Sequence, residues 1–164
     1  MENRLLSLQR QYLALINSQE GKLSHRDEPL DWERLHMASC ARLAWLLALK
    51  RGVKPELAAC AATIHDIGRV ITGLQADHAA AGAVPAQQFL AATNLFSQQE
   101  ILQLVQAVAH HSSKAVIGSP LEEIVKDAEV VDCFQYGLPF ARKEQQLRYE
   151  AWEKGIVFSP YTAG

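Results

Sequence analysis

Leu57-Ala58-Ala59-Cys60-Ala61-Ala62-Thr63-Ile64-His65-Asp66-Ile67-Gly68-Arg69 is the stretch from which fold and chemistry both follow. An alanine-rich apolar run leads straight into a histidine and an aspartate, two side chains that bind metals. A helix this apolar on every side belongs in the interior. Burying a carboxylate without a partner is expensive, so Asp66 needs something cationic close by.

Working outward, the apolar spacing is helical throughout, with no convincing alternating strand. A first helix is expected over about 2–18, with Leu5, Leu8, Tyr12, Leu15 and Ile16 on one face. The polar stretch 19–30 is a connection. A second helix starts at Asp31 as N-cap and stops at Gly52. Pro55 opens the third, which ends near residues 66–68, and a loop over 68–76 leads to a fourth helix from Asp77. Pro85 should kink or divide that helix. Ser97 and Glu100 fit a capping box, in which each side chain satisfies the other's free backbone amide, and they open a fifth helix through His110-His111. Ser119-Pro120-Leu121-Glu122 starts a sixth, reaching about Tyr136. A charged last helix over about 140–152 reads as a solvated face that could also cover the site or mediate a homodimer. The expectation is one all-α domain over 1–164, a bundle of six to seven helices.

Bulk properties exclude more than they select. The chain has 164 residues, 49% apolar and 21% charged, so it can build a substantial core and is not disordered. A net charge of −2 supplies no basic field for nucleic acid, and no nucleic-acid partner is expected. Cys40, Cys60 and Cys133 are odd in number and widely spaced, which reads as buried free thiols in a reducing compartment. Met1–Arg10 carries early charges and no long apolar run, so no secretory leader is expected. The run 43–49 is far shorter than a membrane span. The expected setting is cytoplasmic, away from membranes.

Around the His65-Asp66 pair the chain places His36, His78, His110, His111 and Asp127, each within or beside an apolar segment. Imidazoles and carboxylates together suit iron, manganese, cobalt, nickel or zinc. Alone, each has an ordinary reading: His36 a satisfied core histidine, His78 a solvated neighbour of a helix cap, Asp127 the partner of a surface cation. His25 lies in a polar connection and reads as surface. Trp32 and Trp45 read as core rather than as platforms for a base.

The order His36, His65-Asp66, His78, His110-His111, Asp127, all on helices, resembles the HD-domain superfamily of metal-dependent phosphohydrolases over about Trp32–Cys133. The resemblance implies a first metal held by His36, His65, Asp66 and Asp127. It implies a second held by His78 and one of His110 or His111, with Asp66 as the bridge. His111 is the favoured ligand, and His110 then faces substrate or binds metal itself. Asp132 stands as a supporting group, and Arg69 and Lys114 as cations for a phosphoryl group, against an equal reading as solvated loop charge.

The implied activity is hydrolysis of a small phosphorylated molecule, a nucleotide among the candidates, by metal-activated water. His110-His111 is followed by Ser112-Ser113-Lys114, which departs from the cyclic-di-guanylate phosphodiesterase branch. Two other classes stay open. One is a diiron oxygenase on the same fold, which iron and an oxygen requirement would reveal. The other is a non-catalytic sensory module, which ligand loss would accompany, and no expected ligand is missing here.

Overall fold

The computed structural model describes residues 3–158, and among them regular structure is entirely helical. Eight helices follow in order: α1 Arg4–Asn17, α2 Leu30–Arg51, α3 Pro55–Ile64, α4 Ile67–Thr72, α5 His78–Thr93, α6 Gln98–His110, α7 Pro120–Gln135 and α8 Lys143–Glu153. Seven are long, and α4 is an extra piece of six residues.

α3 lies at the centre because its sequence leaves no face for water. Leu57 through Ile64 are all buried, and α1, α2, α6 and α7 pack around them. Alanines at 58, 59, 61 and 62 let those helices approach closely, while Leu57 and Ile64 fill the gaps, each worth about 1.5–3 kcal/mol in apolar burial. Cys40 and Cys60 are buried among them and Cys133 is half-buried, all three as free thiols. No helix among the described residues is long and apolar enough to cross a membrane.

Both capping boxes form as the sequence indicates, Ser97 with Glu100 and Ser119 with Glu122. Gly52 ends α2 at φ 67°, in the left-handed region that glycine adopts without strain. Three local expectations need correction. Asp31 is in the first turn of α2, and Pro29 is the cap. Residues 68–76 are not all loop, because α4 continues to Thr72 before Gly73 turns the chain at φ 76°. Pro85 does not divide α5; the carbonyl it leaves unpaired, that of Ala81, belongs to an exposed residue that water can reach.

One contact sets the geometry of the site. A Cβ on Gly68 would lie 2.0 Å from the His78 carbonyl oxygen and 2.7 Å from the Gly82 nitrogen. Only glycine lets α4 and α5 meet this closely, and that meeting brings His78 to Asp66.

Candidate metal centre

The helix break between α3 and α4 falls on the diagnostic pair. His65 caps α3, and Asp66 sits at φ −92°, ψ 14°, between the two helical segments. The break lets two adjacent residues, which a continuous helix would separate by about 100°, aim at one place. His36 arrives from α2, His78 from the start of α5 and His111 from the end of α6. All five residues are buried, none more than 3% exposed.

Each imidazole has its Nδ1–H committed away from the centre. His65 donates to the Ala62 carbonyl (2.6 Å), His78 to that of Gln75 (2.7 Å) and His111 to that of Val108 (2.7 Å). His36 donates to Asp132 Oδ2 at 2.6 Å. A carbonyl or carboxylate only accepts, so in the neutral rings every Nε2 carries a bare lone pair. These lone pairs face one another in two sets. His36 and His65 stand 3.1 Å apart, at 3.5 and 3.2 Å from Asp66 Oδ2. His78 and His111 stand 2.8 Å apart, at 3.1 and 3.5 Å from Asp66 Oδ1. Asp66 Oδ1 is buried and has no hydrogen-bond partner among the described residues. Electron pairs facing each other around an orphaned carboxylate oxygen fit a cation on each side of Asp66.

Without an ion, the Asp66 carboxylate draws positive charge onto part of the cluster. Burial opposes charge on Asp66, but Arg69 and His65 hold its carboxyl well below the usual range. Burial also opposes charge on His65, which the adjacent Asp66 nevertheless raises to about 9. His111 goes the other way, lowered to about 4 chiefly by burial.

Around this core the sequence-assigned residues divide. Arg69 is buried, pairing with Asp66 Oδ2 and with both oxygens of Glu33 at 2.7 and 3.2 Å. Lys114 is equally buried, donating to the His111 carbonyl at 2.7 Å and pairing with Glu129. Neither is a solvated loop charge. His110 points outward, its side chain 55% exposed and 3.3 Å from Glu122, so the structure brings His111 and not His110 to the cluster.

Asp127 is also elsewhere. Its two oxygens are taken by Arg148 and Arg51, each at 2.7 Å. Two other α7 carboxylates act on the centre: Asp132, bonded to His36, and Glu129, whose charge acts on His65, His78 and His111. Its own carboxyl, despite burial, is held low by Lys114 and His111. Residues two apart on a helix lie about 200° apart around it, and the sequence gives no sign of which face turns inward. From sequence Cys40 reads as a core thiol, yet it offers its sulfur within 4.8 Å of ring nitrogens of His36 and His65, at the i+4 position from His36. Trp32 stacks on His36, with centroids 4.7 Å apart, and is half-buried as a wall of the site.

Three comparisons bear on this arrangement. The family model described as HD domain matches residues 35–134. Two ribonuclease Y proteins are similar: one from Cutibacterium acnes, 31% identical over 134 residues, covering 80% of this chain and 22% of that protein, and one from Chlorobium luteolum, 29% identical over 102 residues, covering 62% and 18%. The chain thus spans about a fifth of the length of these relatives. The crystal structure of a predicted HD superfamily hydrolase from an uncultured Thermotogales bacterium superposes with a TM-score of 0.61 at 22% identity, covering 89% of this chain and 87% of that one.

Proposed function

This chain belongs to the HD-domain family, and from that premise we propose a divalent-metal phosphohydrolase acting on a small phosphorylated molecule. The observation that carries the reading is the pairing of four bare Nε2 atoms about the two oxygens of Asp66. His36 and His65 with Asp66 Oδ2 would hold one ion, and His78 and His111 with Asp66 Oδ1 a second. Glu129 is the further carboxylate within the same field. Divalent ions, when bound, supply a water of lowered pKa and a Lewis acid for a phosphoryl oxygen.

The protein's own residues fix that arrangement. Asp132 and the carbonyls of Ala62, Gln75 and Val108 hold each imidazole in the tautomer that presents Nε2. Arg69, braced by Glu33, keeps the Asp66 carboxylate in one orientation. Lys114 does the same for Glu129. The Ser112 hydroxyl, 3.4 Å from the Nε2 atoms of both His78 and His111, is placed to hydrogen-bond an oxygen arriving at that half of the centre.

The likeness to ribonuclease Y favours a second reading, in which the ester is a phosphodiester of RNA. The net charge of −2 favours the small substrate. The test is phosphate or nucleotide release from nucleoside monophosphates, diphosphates and short oligoribonucleotides, with iron, manganese, cobalt, nickel or zinc added. Metal-dependent release from the small compounds supports the first reading, and cleavage of oligoribonucleotides alone supports the second. Bound iron, oxygen-dependent turnover and no hydrolysis of any ester would replace both with oxygenase chemistry.

A further inference from the structure

Phosphate ester hydrolysis needs cations about the phosphoryl oxygens as charge develops. The two cations the sequence nominates are already engaged. Arg69 is closed into Asp66 and Glu33, and Lys114 into Glu129, all inside the protein. Turning either toward a substrate would uncover a carboxylate of the centre.

A third cation stands at the rim. Arg142, the residue before α8, is exposed and pairs with no carboxylate among the described residues. Its Nη2 donates to the Ser112 carbonyl at 3.0 Å, and the hydroxyl of that same serine faces His78 and His111 at 3.4 Å. The guanidinium is therefore held one residue away from the second half of the centre. Among the described residues its remaining N–H groups make no further hydrogen bond, and they form the planar fork that suits two oxygens of a phosphate. Arg142 also lies outside the residues 35–134 that the family model matches.

We propose that Arg142 is the substrate-binding cation of this centre, receiving the phosphoryl oxygens of the ester while its contact with Ser112 keeps it in place. This rests on the phosphohydrolase reading above. The test compares wild type with Arg142→Ala and Arg142→Lys, all metal-loaded. Binding of inorganic phosphate is measured by calorimetry, beside metal content, melting temperature, KM and kcat.

The expected result for Arg142→Ala is phosphate affinity weaker by roughly tenfold or more and KM raised, with metal content and melting temperature unchanged. Arg142→Lys should restore part of the affinity, keeping the charge but losing the fork. Unchanged phosphate binding in Arg142→Ala, with hydrolysis intact, overturns the proposal and leaves the hydrolase reading standing. Loss of metal or a lower melting temperature overturns it in favour of a structural pin between α8 and Ser112. Weakened phosphate binding without hydrolysis of any ester supports Arg142 and overturns the hydrolase reading instead.

Discussion

Asp127 on α7 and Asp66 at the break between α3 and α4 are both buried acids, and the protein treats them in opposite ways. At Asp127 every charge is met by another side chain. Arg51 and Arg148 take its two oxygens, Arg148 also reaches Glu123 at 2.9 Å and the Lys114 carbonyl at 2.8 Å, and Lys126 closes on Glu123 at 2.9 Å. Phe158 covers the Arg148 guanidinium at 4.3 Å. At Asp66 the balance is left open: Arg69 reaches only Oδ2, four imidazoles present lone pairs to the carboxylate, and Oδ1 has no hydrogen bond among the described residues. Burial and acidity are common to both clusters, so neither identifies a metal centre. What separates them is whether the protein's own cations complete the site.

The contrast can be broken most severely at Asp66. Asp66→Ala should remove both ions and all metal-dependent turnover, because the bridge between the two histidine pairs is gone; elemental analysis beside an activity assay checks it. Asp127→Ala should do the reverse. Leaving Arg51 without its carboxylate and Arg148 with Glu123 alone should cost about 3 kcal/mol, read as a fall in melting temperature, while the folded protein keeps its metal. Loss of metal without loss of stability there would return Asp127 to the ligand set.

A smaller change sharpens the division within the centre itself. His78→Ala should empty the site it shares with His111 and spare the ion at His36 and His65, giving one metal per chain by elemental analysis. The smallest effect belongs to His110→Ala. An exposed ring whose one polar contact among the described residues is Glu122 should change stability by no more than about 0.5 kcal/mol and leave metal content intact. A tenfold loss of turnover in that variant would restore the substrate-facing role that the family resemblance implies for it.

Much of this was legible in the chain before its structure. The two capping boxes, Gly52 and the apolar run of α3 announce themselves locally, because caps and helix-breaking glycines act within a few residues. His36, His65, Asp66, His78 and His111 could be nominated because histidines set in apolar helices are few. Glu129 could not be told from Asp127 that way. Both sit in one acidic stretch of α7, and only the packing of α7 against α2 and α8 decides which of them meets arginine. The burial of Arg69 and Lys114 could not be read either, because Glu33 and Glu129, which help to hold them inside, lie 36 and 15 residues away. Arg148 was hidden in a helix whose composition reads as solvated, yet it is 1% exposed.

The central claim is that two ions flank Asp66, one per histidine pair. Anomalous scattering at the metal edge, from crystals of the metal-loaded protein, tests it most directly. The account predicts two peaks, one between His36 and His65 and one between His78 and His111, each within bonding distance of a different Asp66 oxygen. Peaks at Asp127, or none beside Asp66 in protein that retains metal, would contradict it.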